Sequence, residues 1–167
     1  LAGLLAAGQS GEVQAYVQGM VQTTAPEEPA AYTQNPTLDA LLAYYAAGLE
    51  WLGADMRVEA DPLSDLPIDN LELCVVLGNL LENALNAVAK LPMGQRYVHM
   101  AIRWDAPRLI IRAENPYTGA IVKNEAGLPS ADGQTGLGTK SVQAVAQRHR
   151  GEFLPEWDGD VFRAYVI

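Results

Sequence analysis

Three asparagines fall on one stripe of an otherwise apolar segment. Residues 69–90 read as a long helix in which Asn79, Asn83 and Asn86, followed by Lys90, are spaced four, three and four residues apart. At about 100° per residue they stay within roughly 60° of one another, a single polar ridge. Leu73, Leu77, Leu80, Leu81, Ala84 and Val88 supply the core side of the same helix. Asparagine is a poor interior helix former, so three in one stripe run against local propensity. A solvated face that happens to use Asn is the plain alternative. As chemistry, the ridge offers amide oxygens to a hydrated magnesium ion and to phosphates, hard ligands for a cation that keeps some of its waters.

Two further segments carry chemistry. Around Thr135, Gly136, Leu137 and Gly138 a glycine-rich loop opens directly into a helix. Unpaired N–H groups and the positive end of the dipole face an anion there, although a flexible turn with an ordinary cap would read the same way. Asn115 and Gly119 stand where a buried strand is expected to end. A polar side chain at such a place can face a pocket, and glycine lets the backbone approach a flat ligand. Alone, that segment reads as a turn.

The elements that must position these residues follow from periodicity and punctuation. Residues 1–7 and a second stretch to about 23 form two helices joined by the turn Gly8 to Gly11, and residues 24–34, with Pro26 and Pro29, read as a linker. Asn35 before Pro36 caps a helix running to about Leu52. Residues 56–60, 97–103 and 108–114 alternate as strands, the last two paired as a hairpin. A long glycine- and proline-bearing stretch follows over 115–135, then a helix over 137–148. Segments 152–156 and 161–167 bracket the turn Asp158, Gly159 as a final hairpin. Such alternation predicts a two-layer α/β sandwich with helices on one sheet face. A doubly wound nucleotide fold is excluded, because no strand leads through a GxxxxGK[ST] or GxGxxG turn into a helix.

In this order the three segments resemble the Bergerat-type, or GHKL, ATP-binding fold of gyrase, heat-shock chaperones, histidine kinases and mismatch-repair ATPases. The run Leu77-Gly78-Asn79-Leu80-Leu81-Glu82-Asn83-Ala84 looks like the family's N box, and residues 115–119 and 133–138 like its two glycine boxes. The wording is most similar to peptide-sensing histidine kinases of Gram-positive bacteria, and it includes Tyr32-Thr33-Gln34-Asn35-Pro36 and residues 66–74. The resemblance implies ATP and Mg2+ as ligands, with Asn83 the principal magnesium ligand, Asn79 assisting and Asn86 near the phosphates. Asn115 would accept from the adenine amino group, where most of the superfamily has an aspartate. Gly119 would lie near the base, Thr135, Gly136, Leu137 and Gly138 at the phosphates, and residues 117–135 would form a lid.

The resemblance also divides the chain into the end of a dimerisation and phosphotransfer hairpin (1–23), a linker (24–34) and the ATP-binding domain (35–167). It implies a histidine kinase whose acceptor histidine lies before Leu1, so that the chain alone would not phosphorylate itself. The other helices of the kinase dimer and a response regulator are then the expected partners, and the expected setting is cytoplasmic. Hydrolytic relatives carry a glutamate one turn before the magnesium asparagine, whereas this chain has Asn79, and an amide is a poor general base. A same-fold regulatory module remains an alternative: a degenerate or phosphatase-biased sensor, or an anti-sigma serine kinase. An interaction domain that has lost nucleotide binding is a further one.

Composition narrows the field. Of 167 residues 49% are hydrophobic and 19% charged, enough for a packed core. The net charge of −9 argues against a nucleic-acid surface. No stretch reads as a membrane span and none as a signal peptide. Cys74, the single cysteine, reads as a buried core thiol. His99 and His149 read as structural or exposed, and Glu82 as a surface carboxylate.

Overall fold

The structure, a computed structural model, describes residues 31–63, 66–123, 128–130 and 136–167. The proposed hairpin and most of the linker, residues 1–30, lie outside the described residues.

The first described helix, α1 (Pro36–Trp51), starts as its sequence dictates. Asn35 accepts from the amides of Thr37 and Leu38, and Pro36 occupies the first turn, where no N–H is needed. Upstream, the Thr33 amide and hydroxyl both donate to Asp39 Oδ1 at 2.7 Å. Leu63 N donates to Thr33 O at 2.7 Å, so the ordered domain reaches back past Asn35. Strand β1 (Asp55–Ala60) follows, then α2 (Asn70–Val88), capped by Asp69.

The long strands β2 (Tyr97–Asp105) and β3 (Arg108–Pro116) form the expected hairpin. After the short β4 (Val122–Lys123) and β5 (Pro129–Ser130) come α3 (Leu137–Arg148), β6 (Phe153–Asp158) and β7 (Val161–Val166). The main sheet runs β1-β2-β3-β7-β6, with β1 parallel to β2 and the other pairs antiparallel.

Strand alternation decides which face the helices cover. Val98, Met100 and Ile102 of β2, Ile111 and Ala113 of β3 and Ala164 of β7 are buried. Register places Met100 opposite Ala113 and Ala113 opposite Ala164, so these side chains share one face. His99, Arg112, Glu114 and Arg163 take the other face. The architecture is the expected two-layer sandwich.

Helix α2 corrects one expectation. Its 19 residues, at mean hydropathy 1.3, are long and apolar enough to cross a bilayer. It is apolar because it touches α1, α3, β2 and β3, and Leu77, Leu81, Ala84 and Val88 are at most 1% exposed. The buried flank of α2 is the centre of the core, and truncating Leu81 to Ala there would cost about 2–5 kcal/mol.

Candidate functional site

Helices α2 and α3 pack antiparallel, and the N-terminal turn of α3 rests on the asparagine ridge of α2. Asn79 is only 2% exposed. Its Nδ2 donates to Val75 O at 2.7 Å. A Cβ at Gly138 would lie 2.5 Å from Asn79 Oδ1, so glycine is what lets the two helices meet. One turn further along the ridge Asn83 is exposed, and so is Asn86. The ridge is therefore divided, with one amide held between helices and two open.

Gly136 caps α3 in an extended conformation with no side-chain hydrogen bond. A Cβ there would meet no atom of the described residues within 4 Å. The first-turn amides of a helix have no partner within it, and with the positive end of the dipole they suit an anion. Leu137 is 54% exposed beside them. Thr135 lies outside the described residues.

Strand β3 runs two residues beyond its expected end, which places Asn115 opposite Phe162 inside the sheet. Asn115 is 4% exposed, and its Nδ2 donates to Pro116 O at 2.9 Å. With the amide donor so engaged, Oδ1 is the remaining acceptor, the polarity an amino group requires. Gly119, at φ +96°, takes a left-handed turn that a side chain would strain.

Within the expected lid, β4 pairs with β5 and Leu128 is buried. Lys123 Nζ stands 5.5 Å from the Trp157 ring centroid, tying this hairpin to β6. Local sequence carries no sign of that contact, because residues 34 positions apart meet only once the sheet is assembled. Residues 124–127 and 131–135 lie outside the described residues.

Among the described residues no group of three or more His, Cys, Asp or Glu side chains gathers to hold a metal. The exposed Asn83 and Asn86 offer amide oxygens, a donor type that suits a divalent cation also held by phosphate oxygens.

Other titratable groups are engaged elsewhere. Glu82 is half-buried and accepts from Tyr45 Oη at 3.0 Å, because α1 covers that flank of α2; it is not the surface carboxylate expected. Burial, and then the charge of Asp69, push the buried Cys74 thiol up to about 11, which keeps it protonated. His149 Nε2 is 2.6 Å from Glu72 Oε2 at the far end of α3. His99 lies on the open sheet face, 3.8 Å from Glu114 Oε1.

Residues 68–166 match the family described as the GHKL domain, and the chain belongs to that family. Among solved structures it is similar to the histidine kinase AdeS of Acinetobacter baumannii, with 14% identity, 95% of this chain and 74% of that one covered, and a TM-score of 0.62. It is also similar to the histidine kinase domain of the Erythrobacter litoralis EL346 blue-light activated kinase, with 15% identity over 96% and 73% of the two chains and a TM-score of 0.59. A histidine kinase from Burkholderia phymatum STM815 gives 18% identity, 91% and 73% coverage and a TM-score of 0.59. No curated protein matches the chain. The domain is thus a GHKL ATP-binding domain with the fold of histidine kinase catalytic domains.

Proposed function

We propose that this domain is the catalytic part of a two-component sensor histidine kinase, binding ATP with magnesium and passing the γ-phosphate to a histidine on a separate dimerisation helix. From there the phosphate would go to a response regulator, which puts the domain on the cytoplasmic side of its sensor. The observation that carries this reading is convergence. Leu109, at the start of β3, lines the same cavity as Leu73 of α2 and His149 after α3, so the other end of β3, with the buried Asn115, runs toward the end of the sandwich that holds the start of α3 and the open part of the asparagine ridge. One end of the molecule therefore offers amide oxygens, a helix start suited to an anion and a buried amide acceptor.

In this reading Asn115 orients the adenine, the amides from Gly136 onward hold phosphate oxygens, and Asn83, with Asn86 nearby, holds the cation that neutralises them. Transfer forms a P–N bond to the imidazole as the bond to the ADP oxygen breaks, and positioning does most of the work. Asn79 cannot supply a base for water, since it is an amide and lies under Gly138. That favours transfer over hydrolysis.

The test is titration with ATP, with and without magnesium, followed by γ-labelled ATP offered together with a histidine-bearing helical hairpin of the kinase class. Magnesium-dependent binding and acid-labile label on the hairpin are expected. Absence of binding at millimolar ATP would overturn the reading, and acid-stable label would point to a serine kinase.

A further inference from the structure

At the opposite end of α2 and α3 lies a cavity of about 340 Å3. Leu73, Val76, Ile111, Val145 and Val166 form its apolar floor, and Arg108, His149, Arg150 and Glu152 stand at its polar edge. From Leu73 to Asn83 is ten residues of helix, about 15 Å at 1.5 Å per residue, so this is not part of the proposed ATP site. The volume falls at the lower end of the roughly 300–1,000 Å3 range of small-molecule sites.

The edge carries two arginine side chains that no carboxylate engages among the described residues. Of the eight arginines in the chain, Arg57, Arg103, Arg112, Arg148 and Arg163 pair with carboxylates and Arg96 donates to backbone carbonyls. The side chains of Arg108 and Arg150 alone make no ion pair or hydrogen bond among the described residues, and both residues line this cavity. His149 is held by Glu72, and the opposing charges at the cavity are Glu152 and, in the 167-residue chain, the terminal carboxylate of Ile167.

Arg150 also occupies its place against local backbone preference. Gly151 N bonds to Ala146 O at 2.8 Å and Arg150 N to Gln147 O at 3.1 Å, closing α3 with a Schellman turn. Arg150 is the left-handed residue of that turn, at φ 60°, where glycine is the usual occupant. The helix dipole does not require it, because Arg148 already supplies a cation in the last turn. A bulky residue kept in a strained position points to a use for its side chain.

We propose that this cavity is a binding site for a small amphipathic carboxylate, its hydrocarbon body on the Leu73, Val76 and Val145 floor and its head group at Arg108 and Arg150. The probe is decanoate below its micelle concentration, titrated into the 167-residue chain by calorimetry, with decan-1-ol as the uncharged control. Saturable 1:1 binding is expected, with the alcohol weaker by about tenfold for lack of the charge-assisted contacts. Arg150→Gly should raise the melting temperature by relieving the turn and yet weaken decanoate, and adding Arg108→Gln should bring decanoate down to the alcohol. Ala146→Phe should fill the cavity and abolish both. Should that variant fail to fold, Val76→Met serves as the milder filling change, with both ligands at least several-fold weaker. No saturable binding of decanoate, equal affinity for acid and alcohol, or affinity unmoved by the arginine changes would each overturn the proposal.

Discussion

A Cβ placed on Gly138 would stand 2.5 Å from Asn79 Oδ1, so the first turn of α3 is seated on the amide of α2 with no room for a methyl group. Gly138→Ala would gain roughly 0.5–1 kcal/mol of helix propensity. Overpacking against a fixed helix costs about 1–3 kcal/mol, so a net loss of stability is expected. The start of α3 should shift as well, and ATP should bind more weakly. Adding Asn79→Ser makes room and should recover most of the stability, a non-additive pair in a double-mutant cycle followed by urea unfolding. Additive losses would separate the two residues.

Asn83 lies one turn beyond Asn79 on the same ridge and is exposed. Replacing it with Ala should leave the unfolding midpoint nearly unchanged. Contacts to charged groups are worth about 1.5–3 kcal/mol, so magnesium-dependent ATP affinity should fall by roughly tenfold to a hundredfold. Calorimetric titration with and without magnesium measures it, and near-normal magnesium dependence removes Asn83 from the site.

Asn115→Asp restores the residue usual in the superfamily but does not fit this strand end. Nδ2 donates to Pro116 O at 2.9 Å, and a carboxylate would set oxygen against oxygen at a position 4% exposed. A loss of about 1–3 kcal/mol at neutral pH is expected from the unsatisfied buried group. The sign of its pH dependence follows. Burial and the facing carbonyl raise the folded pKa of the new carboxyl above its unfolded value, so stability lost at neutral pH returns as pH falls through the folded pKa. The protonated acid can then donate to Pro116 O. Thermal melts from pH 7 to pH 4, each compared with the unchanged chain, would show the gap closing.

What the sequence disclosed was local. Asn35 and Pro36 announced their helix start because a cap acts within a few residues of itself. Alternation in residues 97–103 and 108–114 gave the central hairpin for the same reason. The parallel pairing of β1 with β2 and the pairing of β3 with β7 join distant segments, which no window along the chain contains. Periodicity also set Asn79 and Asn83 on one ridge but could not tell them apart. Only the crossing of α3 buries the first and leaves the second open. Likewise no window along the chain shows that the Cβ position of Gly138 faces Asn79 Oδ1 at 2.5 Å.

Across the open face of the sheet, Glu114 joins β3 to β7. It accepts from Arg163 Nε at 2.7 Å and also from Arg112. Burial alone would raise the Glu114 carboxyl. The hydrogen bonds and charges of the two arginines outweigh it and hold the carboxyl below its ordinary range. A carboxyl depressed in the folded state gives stability that is present above its unfolded pKa and lost as pH falls through the folded one. Glu114→Gln should therefore lower the melting temperature at pH 7 and flatten the acid limb below about pH 4.3. An acid limb as steep as before would assign that loss to other carboxylates.

The last expectation concerns the two histidines that the chain carries. His99 faces the open side of the sheet, its ring tilted 40° against that of Tyr97 with centroids 4.8 Å apart, on the face away from α2 and α3. His149 caps the far end of α3, joined to Glu72. The helix between Leu137 and Arg148 is 12 residues long, about 18 Å at 1.5 Å per residue, which separates His149 from the start where phosphates are proposed to sit. Phosphoryl transfer needs the imidazole nearly in contact and in line with the γ-phosphate, and neither residue can reach that position without unfolding its element. Incubated alone with γ-labelled ATP and magnesium, the chain should take up no acid-labile phosphate on His99 or His149. His99→Ala and His149→Ala should leave transfer to an added histidine-bearing hairpin unchanged. Acid-labile label on the chain that disappears in one of these variants would identify that residue as an acceptor and overturn the assignment of the acceptor to a separate helix.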